Sequence, residues 1–120
     1  MIRNEDYGQI AQVNMLRGLE ARGLLTFFHV PNQLARTKKL QLIFYNLGMQ
    51  AGVTDLVILL PGGKTIHVEN KYNTKPSSAQ VTWRQTLVNL GHTHYQVSFK
   101  TQKEAQENLL KILLENGVRT

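Results

Sequence analysis

The chain has 120 residues, with 14 Lys and Arg against 8 Asp and Glu, a formal charge of +6 and a pI near 9.8. This is one domain's length, which excludes a multidomain enzyme, and the basic balance points to an anionic partner, nucleic acid first. Zero cysteines exclude disulfides and thiolate zinc sites, while the longest strongly apolar run, Leu56 to Leu60, is far below the roughly 20 residues that cross a bilayer; with no signal-like apolar region after Met1-Ile2-Arg3-Asn4, an intracellular, cytoplasmic protein is expected.

Asn4 is positioned to cap a first helix running to about Ala21, with Glu5 and Asp6 in its first turn and Gly23 past its end. Ile10, Val13 and Leu16 form its apolar stripe, and Glu5, Gln9 and Gln12 line up along one edge. Thr26 to Val30 reads as a strand stopped by Pro31-Asn32. A second helix, Arg36 to about Leu47, is expected to bury Leu40, Ile43, Phe44 and Leu47 and to stop at Gly48. Its first turn carries Arg36, Lys38 and Lys39 against the helix dipole, a placement that a phosphate partner would explain.

Thr54 to Leu60 fits a central strand covered on both faces, with Asp55 at its start. Thr65 to Lys71 is the next strand, with Thr65, His67, Glu69 and Lys71 on one face and Ile66, Val68 and Asn70 on the other. Ser77 to Gln80 opens a third helix, with Trp83, Leu87 and Leu90 in line and Gly91 after it. Thr93 to Phe99 is a fourth strand. Thr101 and Glu104 make a capping box for a last helix that carries Leu109, Ile112 and Leu113 and ends at Gly117. The order is α β α β β α β α, which predicts one α/β domain over residues 1–120.

Charge is unevenly spread along this order. Between Ala21 and Lys103 ten bases face only two acids, Asp55 and Glu69, a local charge of +8. Pro61-Gly62-Gly63 suits a three-residue hairpin loop, with Gly63 free to take the left-handed conformation. Leu60 then faces Lys64, Val57 faces His67 and Asp55 faces Glu69. Opposed residues share a face, so the two carboxylates converge with Lys71 beside them, an arrangement that is unfavourable unless a cation lies between the acids. Oxygen ligands of this kind suit Mg²⁺ or Mn²⁺. The plainer reading of the three residues is a cross-strand salt bridge.

The run Gly48-Met49-Gln50-Ala51-Gly52-Val53-Thr54-Asp55-Leu56, followed by Val68-Glu69-Asn70-Lys71, resembles the two halves of a PD-(D/E)xK nuclease motif. More narrowly, it resembles the small, free-standing VRR-NUC domains found in phages. Glu5-Asp6 with Gln9, His29-Val30-Pro31-Asn32, Ser77/Ser78 with Gln80 and Trp83, and Gly91 before the Tyr95 strand extend the likeness over nearly the whole chain. The resemblance implies a restriction-endonuclease-like core, a mixed four-stranded sheet flanked by helices, and Mg²⁺-dependent hydrolysis of DNA phosphodiesters. Carried over by position, Asp55, Glu69 and the main-chain carbonyl of Asn70 would ligate the metal, Glu5 would reach it directly or through water, Lys71 would orient the attacking water, and Gln80 would help position the site. Arg36, Lys38, Lys39, Lys75 and Arg84 would contact phosphates. The resemblance further implies a homodimer acting on branched DNA such as four-way junctions or flaps. Thr54 stands where the motif has proline, Asn70 where it is often apolar, and Gln33-Leu34 where glycines often follow Pro-Asn.

Other readings stay beside this one. Glu5 in a first turn already has a dipole reason to be there, and Ser77 with Gln80 already makes a capping box. His67 reads as a packed strand histidine, Trp83 as core, and His92 with His94 lacks the partners of a zinc site. The rival of another class is a catalytically inactive DNA-binding module on the same fold. A small RNA-binding protein would want exposed aromatics on a sheet, and only 8% of residues are aromatic.

Overall fold

The chain runs through α1 (Asn4–Ala21), β1 (Thr26–His29), α2 (Lys38–Asn46), β2 (Leu56–Leu60), β3 (Lys64–Tyr72), α3 (Ser78–Asn89), β4 (Thr93–Phe99) and α4 (Gln102–Glu115). The computed structural model describes residues 3–31 and 37–120. Its four strands form one sheet in the order β1-β2-β3-β4, antiparallel at the first two junctions and parallel between β3 and β4. The element order and the mixed four-stranded sheet are those expected from the sequence.

The pleat sorts β2 and β3 into two faces. Leu56, Ile58, Leu60, Ile66 and Val68 point into the core, where they meet Leu16 and Leu19 of α1, Val97 and Phe99 of β4, and Ala105, Leu109 and Leu113 of α4. Close packing in this layer leaves no room for a side chain at residue 8: a Cβ there would lie 2.2 Å from the Phe99 ring. The opposite face of β3 carries Thr65, His67, Glu69 and Lys71, and parallel pairing sets His94, Gln96 and Ser98 of β4 beside His67, Glu69 and Lys71.

Register follows from the loop. Pro61–Gly63 forms a single 3₁₀ turn with Gly62 at φ +79° and Gly63 at φ +75°, values that a side chain would strain. Three residues therefore join β2 to β3, and the pairs run from Leu60↔Lys64 to Leu56↔Val68, as the loop length predicts.

Several local expectations are corrected. The cap of α1 falls on Arg3 rather than Asn4, because the Asp6 carboxylate turns back to accept from the Arg3 main-chain N–H at 3.0 Å. The buried side of α1 is Ala11, Gln12, Leu16 and Leu19; Gln12 finds amide partners inside, which leaves Ile10 46% exposed. Helix α2 starts at Lys38, capped by Thr37, and none of its residues is buried. Leu40, Ile43 and Leu47 face out and Phe44 is half-buried, since α1 and α4 already fill the core face of the sheet. Strand β2 starts at Leu56 and is covered fully on one face only: Val57 is buried, but Leu59 is exposed because α3 packs on the β4 end of the sheet. Leu87 is buried beneath α3, whereas Leu90 lies past its last turn and is exposed.

Candidate active site

Asp55 sits one residue before β2, and its carboxylate continues the β2–β3 ladder where strand pairing stops. Its Oδ2 accepts the main-chain N–H of Asn70 at 2.7 Å. Two bonds hold the Asp55 backbone from the other side: Val30 N–H donates to its carbonyl at 3.0 Å, and His29 Nδ1 lies 2.8 Å from the same oxygen. The same ring nitrogen lies 3.1 Å from Gln9 Nε2, so His29 sits between α1 and the Asp55 backbone. The loop leading into Asp55 presses on α3 at Gly52, where φ is +76° and a Cβ would fall 2.4 Å from the Ala79 carbonyl. Only glycine suits that position, and it seats the loop against the first turn of α3.

Glu69 and Lys71 occupy alternate positions of β3, on the face that Asp55 closes. Glu69 is 0% exposed and Lys71 8%. Both Glu69 carboxylate oxygens are buried without any hydrogen-bond partner. None of the ion pairs within 4.0 Å among the described residues joins Asp55, Glu69 and Lys71; those found are surface pairs such as Arg3–Asp6 and Lys103–Glu107. The plain salt-bridge reading is thus not closed. Burial pushes the carboxyls of Asp55, Glu69 and Glu5 above their ordinary values; in Glu69 and Glu5 the charge of Asp55 adds to the rise, and in all three Lys71 opposes it. These mutual influences bring Glu5, from the first turn of α1, into the same electrostatic cluster.

Arg84 reaches the cluster from α3. Its Nη2 donates to Gln96 Oε1 at 2.6 Å, Gln96 Nε2 donates to Ser98 Oγ at 3.0 Å, and its charge draws the Glu69 carboxyl down. The Arg84 Nε, like the Trp83 Nε1, is buried without a partner. Nearby, burial takes His94 down to about 4 and lowers His67, so both imidazoles are neutral at neutral pH.

The sequence-predicted residues divide accordingly. Glu5, Asp55, Glu69, Lys71 and Arg84 are brought together, and Asn70 lies between two of them with its side chain in the core. Gln80 Oε1 is engaged by the Ser77 main-chain N–H at 2.9 Å, completing the capping box. Lys38, Lys39 and Lys75 are solvent-exposed, and Arg36 lies outside the described residues. Gln96 and Ser98 carried no sequence signal, because a parallel register is set across a helical crossover; only their alternation in β4 hints at a shared face.

Among the described residues, no three Asp, Glu or His side chains converge closely enough to hold one metal ion by themselves. Two carboxylates with a main-chain carbonyl and water are the donor set that hard cations of small radius accept. The unpartnered Glu69 oxygens fit such a cation, since a bound positive charge supplies the compensation that the protein withholds.

No protein-family model matches the chain, and no curated protein sequence does either. Solved structures do match. A structure described as a "VRR_NUC domain" shares 20% identity with a TM-score of 0.60, covering 95% of this chain and 97% of its own. Another, a "VRR_NUC domain protein", shares 18% identity with a TM-score of 0.67, covering 91% of this chain and 87% of its own. The chain therefore has the VRR-NUC fold, an α/β architecture with a restriction-endonuclease-like core.

Proposed function

We propose that the chain is a nuclease of the VRR-NUC family that hydrolyses DNA phosphodiesters with Mg²⁺, Mn²⁺ serving in its place. The observation that carries this reading is Glu69: a carboxylate 0% exposed, unpartnered at both oxygens, beside the carboxylate that extends β2 and one pleat from a buried lysine. Asp55, Glu69 and the main-chain carbonyl of Asn70 would hold the ion, with Glu5 within electrostatic reach. When bound, the ion supplies a hydroxide-like nucleophile and neutralises phosphoryl charge. The chain's own residues do the rest. Lys71 Nζ donates toward the attacking water and the developing phosphoryl charge; Arg84 holds a phosphate oxygen; the Asn70 N–H keeps Asp55 Oδ2 fixed.

Lys38, Lys39 and Lys75 would bind phosphates away from the cut, so that shape and not base sequence selects a branched substrate. The exposed apolar face of α2 supports a homodimer. Leu40, Leu42, Ile43, Tyr45 and Leu47 are all exposed, and Phe44 and Leu47 line a groove with Val53 and Trp83. A nine-residue helix gains little stability by itself, and a second copy would cover it. Light scattering at micromolar protein is expected to give twice 13.7 kDa.

The deciding experiment is a cleavage panel of linear, nicked, flapped and four-way DNA with Mg²⁺, Mn²⁺ or EDTA, run on wild type, Glu69→Ala and Lys71→Ala. Metal-dependent products lost in both variants support the assignment. Products surviving both substitutions overturn it, and tight, salt-sensitive binding without product assigns the binding-only alternative.

A further inference from the structure

On the core side of β3, directly behind the candidate site, lies a polar pair in an otherwise apolar layer. Gln12 and Asn70 are both 0% exposed. Gln12 Nε2 donates to Asn70 Oδ1 at 2.9 Å, and Asn70 Nδ2 donates back to Gln12 Oε1 at 2.7 Å, closing a reciprocal amide ring. The second Gln12 proton goes to the Ala105 carbonyl of α4 at 3.0 Å, and the second Asn70 proton points to Gln9 Oε1 at 3.5 Å. The Ala105 oxygen accepts only, which fixes the orientation of both amides. Two side chains thus join α1, β3 and α4 with their donors and acceptors used.

Such a ring is not needed for burial. Replacing both partners of a buried hydrogen bond by apolar groups of similar shape is nearly neutral or stabilising. What the ring adds is orientation at residue 70. Its main-chain N–H lies beyond the last β2–β3 pair and is bonded by the Asp55 carboxylate, and its flanking residues are Glu69 and Lys71. Van der Waals packing would tolerate a twist of this peptide; a bidentate amide ring anchored on two helices does not.

We infer that Gln12 and the Asn70 side chain are positioning residues, which lock the peptide at residue 70 so that its N–H holds Asp55 and its flanking Glu69 and Lys71 stay in register. The metal part of this inference rests on the nuclease reading; the locking part does not.

The test compares wild type with Gln12→Leu/Asn70→Leu and with the exchanged pair Gln12→Asn/Asn70→Gln. In metal-free protein, amide hydrogen exchange at residue 70 is expected to accelerate roughly tenfold or more in the double leucine variant relative to core amides of β3, with the unfolding temperature maintained. Calorimetric Mn²⁺ affinity is expected to fall by about 10- to 100-fold in the same variant. The exchanged pair should restore part of both. Wild-type exchange at residue 70 in the double leucine variant overturns the inference, because the ring is then only filling. Wild-type protein that binds no Mn²⁺ overturns the nuclease reading, and the exchange arm still decides the locking role. Should the double variant fail to fold, the wild-type side-chain amide protons of Gln12 and Asn70 decide it: slow exchange supports the lock, and exchange at the rate of exposed amides refutes it.

Discussion

Glu69 and Asn70 are consecutive residues on one strand, both 0% exposed, and they live under opposite conditions. Glu69 offers two acceptor oxygens to which nothing donates, whereas the Asn70 side chain is engaged by Gln12 and Gln9. Native interiors avoid the first state and favour the second. The pleat allows both on one strand, since alternate side chains leave by opposite faces. One face of β3 is complete once the chain has folded. The other keeps a buried carboxylate without a partner, a charge that a bound cation would compensate, so the unmet polar demand is confined to one side of the strand.

The contrast breaks most sharply at Lys71. Lys71→Ala is expected to lower single-turnover cleavage of a labelled four-way junction by about 10²–10³-fold, the range seen when one preorganised transition-state donor is removed. An unchanged rate would remove Lys71 from the chemistry. On the completed face, Gln12→Leu alone strands the Asn70 amide in the core. Urea denaturation should then show a loss of about 1–3 kcal/mol, the usual penalty of an unpaired buried polar group.

Substitution on the incomplete face should act in the opposite direction. In metal-free protein, Glu69→Gln removes a desolvated charge, and the unfolding temperature at neutral pH is expected to rise by roughly 3–6 °C if about 1 kcal/mol is relieved. A fall would mean that Glu69 is already satisfied. The same carboxyls set a pH trend. Because Asp55, Glu69 and Glu5 are raised in the folded state, their contribution to stability is present in full below the ordinary carboxylate values and is lost as pH rises through the folded ones.

For His94 the sign is reversed. A histidine held at about 4 instead of 6.5 contributes stability above 6.5 that is lost as pH falls toward 4. His94→Gln should therefore flatten that limb of a stability-against-pH curve, and an unaltered limb would assign it elsewhere.

Local chemistry made much of this legible in the sequence. The three residues of Pro61–Gly63 set the hairpin register, Ser77 with Gln80 and Thr101 before Glu104 marked two helix starts, and the two lone acids of the basic middle pointed to the candidate site proposed above. Non-local partnerships stayed hidden. Gln12 looks like a solvated helix edge until its partner, 58 residues away, is in place. The stripe of Leu40, Ile43 and Leu47 suggested a buried face on α2, but the chain leaves it uncovered. The cap of α1 moved to Arg3 because Asp6 bonds back to it, a choice between neighbouring polar residues that composition does not settle.

The turn between β2 and β3 has a further consequence for how the gene can change. Pro61, Gly62 and Gly63 are all exposed, so sequence drift there meets little packing resistance beyond the glycine conformations. Length is another matter. Losing or gaining one codon would turn β3 over, sending Glu69 and Lys71 into the hydrophobic layer and Val68 and Asn70 outward. Among homologous genes, this surface loop should accept substitution at position 61 more readily than at the two glycines while its length stays frozen, a constraint imposed on an exposed turn by the residues at the far end of the strand.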